Sequence, residues 1–316
     1  MPAPVLPTDP ANPDPDAIRR AAEVIRAGGL VAFPTETVYG LGANALDPAA
    51  VAKVFAAKGR PPTNPLIVHV ADETQVRQVA ADWPEAARKL AAAFWPGPLT
   101  VVVPRHPALP EAVTAGGPTV AVRRPAHPVA RALIAAAGVP VAAPSANRSG
   151  QLSPTRAEHV ALPEIDLILD GGPCPGGIES TVVDATGPVV RLLRPGPVTV
   201  AQLEAVVGPV EVGPAPAVGP LPSPGMLARH YAPRTRLELA DSEEEADALA
   251  RVYEIAGLKV ARLRLSGSPA EAAARLYADL HALDAGGFDR IVAALPPDAD
   301  EWRAVRDRLT RAAAEG

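Results

Sequence analysis

Proline constrains this chain more than any other residue. There are 39 prolines among 316 residues, over twice the usual share of roughly 5%, and they recur along the whole length. Each fixes its own φ and removes a backbone donor, so the chain must be built from short elements joined by stiffened loops rather than from long helices. Between the prolines, residues 16–27 have helical spacing, with Ile18, Ala21, Ala22 and Ile25 on one face and Gly28-Gly29 as the stop. A short buried strand is expected at 30–33. Further helices are expected over 48–58, 73–79, 84–94, 127–137 and 200–207. Apolar, β-branched runs bounded by Pro and Gly predict strands at 66–70, 99–103, 119–122, 139–142, 167–170, 180–184 and 189–193. This interleaving is an α/β pattern.

The stretch GPVEVGPAPAVGPLPSP (208–224) is dense in Pro and Gly and lacks a period, which reads as a semi-rigid linker. The expected division is therefore a first domain at 1–207, a linker at 208–234 and a second domain at 235–316. Beyond the linker, strands at 236–240, 259–265 and 288–295 are spaced by helices at 242–256 and 269–283. Such alternation implies a small parallel sheet with right-handed crossovers.

Composition narrows the function classes. With 48% hydrophobic and 21% charged residues the chain matches globular averages, which excludes disorder and collagen-like repeats. Its 30 basic and 35 acidic residues leave a net charge of −5. A protein held mainly by phosphate backbones would carry basic excess, so nonspecific nucleic-acid binding does not lead. The single cysteine, Cys174, allows neither an internal disulfide nor a Cys-rich zinc site and suggests a reducing compartment. The opening MPAPVLPTDPANPDPD has no basic or apolar leader region, and no apolar run reaches membrane length. A cytoplasmic protein without a membrane partner is expected.

Three segments offer chemistry. PTETVYGLG (34–42) follows a strand and carries the hydroxyls Thr35 and Thr37; its GLGANA (40–45) is only a weak dinucleotide fingerprint, because the glycines come too late after the strand and no acidic residue follows about 20 positions on. KGRPPTNPLIVHV (58–70) places Lys58 and Arg60 at one bend, with Asn64 and His69 beyond. A planar fork and a point charge together suit a polyphosphate, although basic residues also suit a solvated helix C-terminus. PVAAPSANRSG (140–150) runs an apolar strand into Ser145 and Asn147, whose short polar side chains suit phosphate or ribose oxygens. Thr119 and Arg123, Ser180 and Thr181, and Arg194 complete the set; an arginine at a strand end is a good bidentate partner for a carboxylate. There is no Walker loop, no HExxH helix and no nucleophile elbow.

Taken in order, PTETVYGLG, KGRPPTNPLIVHV, FWPGPLT, AVRRP, PSANRSG, GGIESTVVD and LLRPG resemble the YrdC/Sua5 family of threonylcarbamoyl-AMP synthases, and SPGMLARHYAP (223–233) is similar to the linker of its longer subgroup. The resemblance implies a twisted open-sheet catalytic domain followed by a smaller Rossmann-like α/β domain. It implies an enzyme that makes threonylcarbamoyl-AMP and pyrophosphate from L-threonine, bicarbonate or CO2 and ATP, with Mg2+ accompanying ATP. A separate t6A transferase machinery would then modify adenosine 37 of tRNAs reading ANN codons, with transient tRNA contact. The family's catalytic tetrad falls on Lys58, Arg60, Ser145 and Asn147. ATP contacts would fall on Arg60, Asn64, Thr119, Ser145, Ser153, Arg194 and Tyr231, and threonine contacts on Thr37, His69, Arg123, Ala143 and Ser180 or Thr181. At Ala143, where relatives often carry a hydroxyl, only a backbone contact is available. Residues 222–233 are expected to fold over the cleft as a lid that brings His230 and Tyr231 to its mouth. The competing expectations are an RNA-binding module of the same fold, and a carbamoyl transferase of hydrogenase maturation, whose zinc-finger cysteines are missing here.

Overall fold

The computed structural model describes residues 3–213 and 230–314. From the N-terminus, β1 (Val5–Pro7) leads to α1 (Pro15–Arg26), which starts where the Asp14 carboxylate accepts from the Asp16 amide and Pro15 presets the first turn. Its buried face (Ile18, Ala21, Ala22, Ile25) packs with Leu133 and Ile134 of a later helix and with Phe33. β2 (Val31–Phe33) and β3 (Gly40–Asn44) pair antiparallel. α2 (Pro48–Lys58) is capped by Asp47 and stopped by Gly59, which takes the left-handed conformation at φ +57 that a Cβ would strain.

The chain continues through β4 (Ile67–His69), α3 (Glu73–Val79), α4 (Glu85–Phe94), β5 (Leu99–Pro104), β6 (Thr119–Arg123), α5 (Pro128–Ala137) and β7 (Val141–Ala142). It then forms β8 (Leu167–Asp170), β9 (Thr181–Asp184), β10 (Val190–Arg194), α6 (Val200–Val207) and β11 (Val210–Val212). Among the described residues these strands make one 11-stranded mixed sheet, ordered β1-β8-β2-β3-β7-β4-β6-β5-β9-β10-β11. The remainder is β12 (Arg236–Ala240), α7 (Glu243–Ile255), β13 (Val260–Leu263), α8 (Pro269–Ala285), β14 (Arg290–Ala294) and α9 (Arg303–Ala313). Its three strands are all parallel in the order β12-β14-β13, the crossover arrangement expected of alternating strands and helices.

The structure departs from the sequence reading in four places. β3 occupies the stretch that resembled a dinucleotide turn: a Cβ on Gly42 would lie 2.7 Å from Phe33 Cε1 and 2.9 Å from Val141 Cγ1, so the glycine serves close strand packing, not a pyrophosphate. β1, inside the Pro-rich leader, runs parallel to β8. β11 takes the beginning of the expected linker into the large sheet, because Val210 and Val212 fall opposite Val190 and Leu192 while Arg191 pairs with Glu211 at 2.6 Å. α9 was not anticipated. Most of the expected linker and lid, residues 214–229, lies outside the described residues.

Candidate active site

One small cavity collects side chains from across the first 200 residues. Thr35, Thr37 and Val38 enter it from the β2–β3 loop, Arg60 from just after α2, His69 and Arg123 from the ends of β4 and β6, Ala143 and Ser145 from just after β7, and Ser180 and Arg194 from the approach to β9 and the end of β10. His230 and Tyr231 close it from the segment that leads into β12. The space left between them is about 50 Å³, room for one or two waters.

Three guanidinium groups in this wall are almost wholly buried: Arg60, Arg123 and Arg194 are 7%, 4% and 3% exposed. Each is held by oxygens. Arg60 donates to the Asn64 carbonyl at 2.9 Å, the Asn64 side chain at 2.6 Å and the Pro65 carbonyl at 2.7 Å. Arg123 forms an ion pair with Glu36 at 2.6 Å and donates to Thr37 Oγ1 at 3.0 Å and to the Gly97 carbonyl at 3.3 Å. Arg194 donates to the Ser180 carbonyl at 2.9 Å and to its hydroxyl at 3.1 Å, and that hydroxyl shares a hydrogen with Thr100 at 2.8 Å. Such forks, fixed before a ligand arrives, are what bidentate binding of phosphate or carboxylate requires.

Burial sets the protonation states. Desolvation, with Arg194 adding repulsion, lowers Arg60 to about 10, which leaves it cationic at neutral pH. Burial followed by the Arg123 charge drives His69 down to about 3, so its imidazole is neutral. Its Nδ1 is buried without a protein partner among the described residues, a ready group for a substrate hydroxyl. Burial and then Arg60 hold the Lys58 amine well below its ordinary value.

The sequence-predicted residues do not all face the cavity. Lys58 is 2% exposed and donates to the carbonyls of Ser145 and Asn147, so it knits the β7 loop together from behind. Asn147 donates to the Arg148 and Gln151 carbonyls at 2.9 and 2.8 Å and borders a second cleft instead. Asn64 orients Arg60. Ser153 is buried and donates to Glu179 at 2.5 Å. Thr181 turns its hydroxyl to the Val198 carbonyl at 2.8 Å, leaving Ser180 as the member of that pair in the wall. Thr119 starts β6, four residues or about 13 Å of strand from Arg123, outside the described lining. Tyr231 is 1% exposed and adopts φ +63. Glu36 and Glu179 were missed. Both stand directly before a chosen hydroxyl residue, and only the arginine each one meets across the fold reveals it.

Close packing supports the Arg194 corner. A Cβ on Gly196 would lie 2.2 Å from the Thr181 amide nitrogen and 2.6 Å from the Ser180 carbonyl carbon, both backbone atoms that cannot swing away. Gly196→Ala is expected to cost about 1–3 kcal/mol and to weaken nucleotide use by displacing Arg194 from Ser180. Thermal melts with steady-state kinetics check this; an unchanged melting temperature would show that the corner is slack.

The comparisons agree with this architecture. The Sua5/YciO/YrdC family model, whose description reads "Telomere recombination", matches residues 23–196, and the model for the threonylcarbamoyl-AMP synthase C-terminal domain matches residues 198–314. The chain is 44% identical over 97% of its length to a threonylcarbamoyl-AMP synthase of Bacillus subtilis, covering 95% of that protein. It is 43% identical over 93% of its length to the Pyrococcus abyssi enzyme of the same name, covering 93% of it. The crystal structure of P. abyssi Sua5 complexed with L-threonine superposes with a TM-score of 0.93 at 41% identity, spanning 98% of this chain and 97% of that one. Two matched family models, near-complete coverage and a shared two-sheet fold place this chain in the YrdC/Sua5 family, in its long, two-domain Sua5 branch.

Proposed function

We propose that the protein is an L-threonylcarbamoyladenylate synthase, which converts L-threonine, bicarbonate or CO2 and ATP into threonylcarbamoyl-AMP and pyrophosphate. The observation that carries this reading is the convergence of Arg60, Arg123 and Arg194 on one cavity beside a neutral imidazole. The reaction has to bring two anions together. The threonine amine loses a proton to solvent and adds to CO2 as a carbamate; the carbamate oxygen then bonds to the α-phosphorus as the bond to pyrophosphate breaks. Mutual repulsion is the obstacle, and preorganised cations lower it without a covalent protein intermediate. Arg60 and Arg194 are assigned to the nucleotide phosphates. Arg123 is assigned to the threonine carboxylate, with Thr37, His69 and the Ala143 backbone around the rest of that amino acid. Lys58 and Asn147 shape the loop that presents Ser145 to the nucleotide.

ATP and threonine are larger than the roughly 50 Å³ left between these side chains, so part of the wall has to open to admit them, and its closing again would shield the hydrolysable anhydride. Mg2+ is assigned to the nucleotide. Among the described residues no three His, Cys, Asp or Glu side chains gather to hold an ion, and the Glu179 carboxylate in the wall is taken by Arg308 at 2.8 Å. None of the steps here passes through a metal. The product would serve a tRNA t6A transferase machinery, with at most transient tRNA contact. No helix among the described residues is long and apolar enough to cross a membrane, and a cytoplasmic location accords with the chemistry.

The test is to incubate the protein with ATP, bicarbonate and each of several amino acids and to follow the mixed anhydride by mass spectrometry. Anhydride and stoichiometric pyrophosphate with threonine above the others are expected. Salt-sensitive tRNA binding without threonine-dependent ATP turnover would instead favour the RNA-binding reading.

A further inference from the structure

We infer that the C-terminal domain is a working part of the nucleotide site: Arg308 of α9 and Tyr277 of α8 are positioning residues that hold Glu179, and through it Ser180, Arg194, Ser153 and Tyr231, in the arrangement that seats ATP. The inference rests on the synthase reading and adds to it the part played by the second domain.

The geometry is that of a clamp. Arg308 Nε donates to Glu179 Oε2 at 2.8 Å, its Nη2 reaches the Glu179 carbonyl at 3.4 Å, and its Nη1 donates to the Pro195 carbonyl at 3.0 Å. Glu179 immediately precedes Ser180 and Pro195 immediately follows Arg194. One guanidinium therefore grips the backbone on both flanks of the Arg194–Ser180 pair in the cavity wall. The same carboxylate accepts from the Tyr277 hydroxyl at 3.1 Å and from Ser153 Oγ at 2.5 Å. The far face of the clamp is aromatic. The Arg308 guanidinium stands 5.1 Å from the centre of the Tyr231 ring, and the Tyr231 and Tyr277 rings are 5.9 Å apart.

Three features set this apart from an ordinary domain contact. Arg308 is 1% exposed and Glu179 6% exposed, and a charge buried that deeply is tolerated only when its partner is in place. Burial would raise the Glu179 carboxyl, but Arg308 first and Arg194 second hold it below the usual range. Without Arg308, the uncompensated carboxylate would turn to Arg194, a cation assigned to phosphate. The surroundings also leave little slack: Val38 and Ile178 of the first unit share one apolar core with Leu276, Tyr277 and Leu309 of the second. Movement of α8 or α9 is thereby transmitted to the cavity wall.

The experiment uses the full-length protein and the variants Arg308→Gln, Arg308→Lys, Tyr277→Phe, Glu179→Gln and the double variant E179Q/R308Q. Threonine-dependent pyrophosphate release gives kcat and both KM values, and thermal melts report folding. Arg308→Gln is expected to raise KM for ATP about tenfold while KM for threonine changes less than about threefold. Arg308→Lys should recover part of the loss. Tyr277→Phe should raise KM for ATP about threefold while the protein stays folded, with a fall in melting temperature of no more than about 4 °C. The double variant should be no worse than Arg308→Gln alone, as expected of two residues acting in one line. Where Arg308→Gln does not fold, Tyr277→Phe decides. Wild-type KM for ATP in the folded variants, or losses that follow the folded fraction equally for both substrates, overturns the inference. A wild-type protein that shows no threonine-dependent turnover refutes the synthase reading itself, and the inference falls with it.

Discussion

An Arg60→Ala protein is expected to release pyrophosphate about a hundredfold more slowly than the wild type at saturating threonine, the scale of losing one preorganised charge contact to a transition state. The size of the effect follows from how Arg60 is held. Its Nε and Nη2 are spent on Asn64 and the Pro65 carbonyl, so the guanidinium plane is fixed, and no reorganisation is needed as charge builds up on the leaving phosphates. Although burial lowers it to about 10, it stays cationic at neutral pH. Arg60→Lys keeps the charge but cannot bridge the Asn64 carbonyl and amide oxygens, so it should fall between the two, about tenfold below the wild type. Truncation also leaves the buried Asn64 and Pro65 oxygens without their donor, at about 1–3 kcal/mol each. Turnover should therefore be measured well below the melting temperature. An Arg60→Ala protein within a few-fold of wild type would remove Arg60 from the phosphate site.

How much of this was legible beforehand depended on how local the deciding interaction is. α2 could be read with its full bounds because its signals lie in its own sequence: Asp47 as cap, Pro48 in the first turn and a left-handed Gly59 as stop. β3 could not, since Gly40 and Gly42 carry no β signal; the strand is made by its pairing with β2 and β7, and at Gly42 Phe33 lies in the space a side chain would fill. The site divides the same way. Basic residues at a bend marked Arg60, and a strand end marked Arg123. The sequence did not show that Lys58 would face two carbonyls rather than the cavity, because that depends on where the β7 loop arrives, 87 residues on. Arg308 left no trace at all. On α9 it looks like a surface charge, and only its contact with Glu179, 129 residues away, makes it part of the site.

Arg123→Ala is expected to act on the other substrate, raising KM for threonine about a hundredfold and leaving KM for ATP within about threefold. Loss of a buried, charge-assisted contact to a carboxylate is worth about 2–5 kcal/mol, and a hundredfold lies in the lower part of that range. The Glu36 carboxylate lies 2.6 Å from Arg123 Nη2, so this buried guanidinium already faces one carboxylate of the protein itself. Burial would lift Glu36, but Arg123 beside it holds it below the usual carboxylate range, so the carboxylate stays ionised at neutral pH. Thr37 Oγ1 accepts from Nη1 at 3.0 Å and meets Thr35 at 2.8 Å, so the fork is anchored to the same loop that carries Glu36. Arg123→Lys should recover little, because an ammonium cannot span Thr37, the Gly97 carbonyl and an incoming carboxylate at once. Threonine titrations at fixed ATP, with the reverse titration as control, give the two KM values. If Arg123→Ala raises both together, or neither, the threonine carboxylate is bound elsewhere in the cavity.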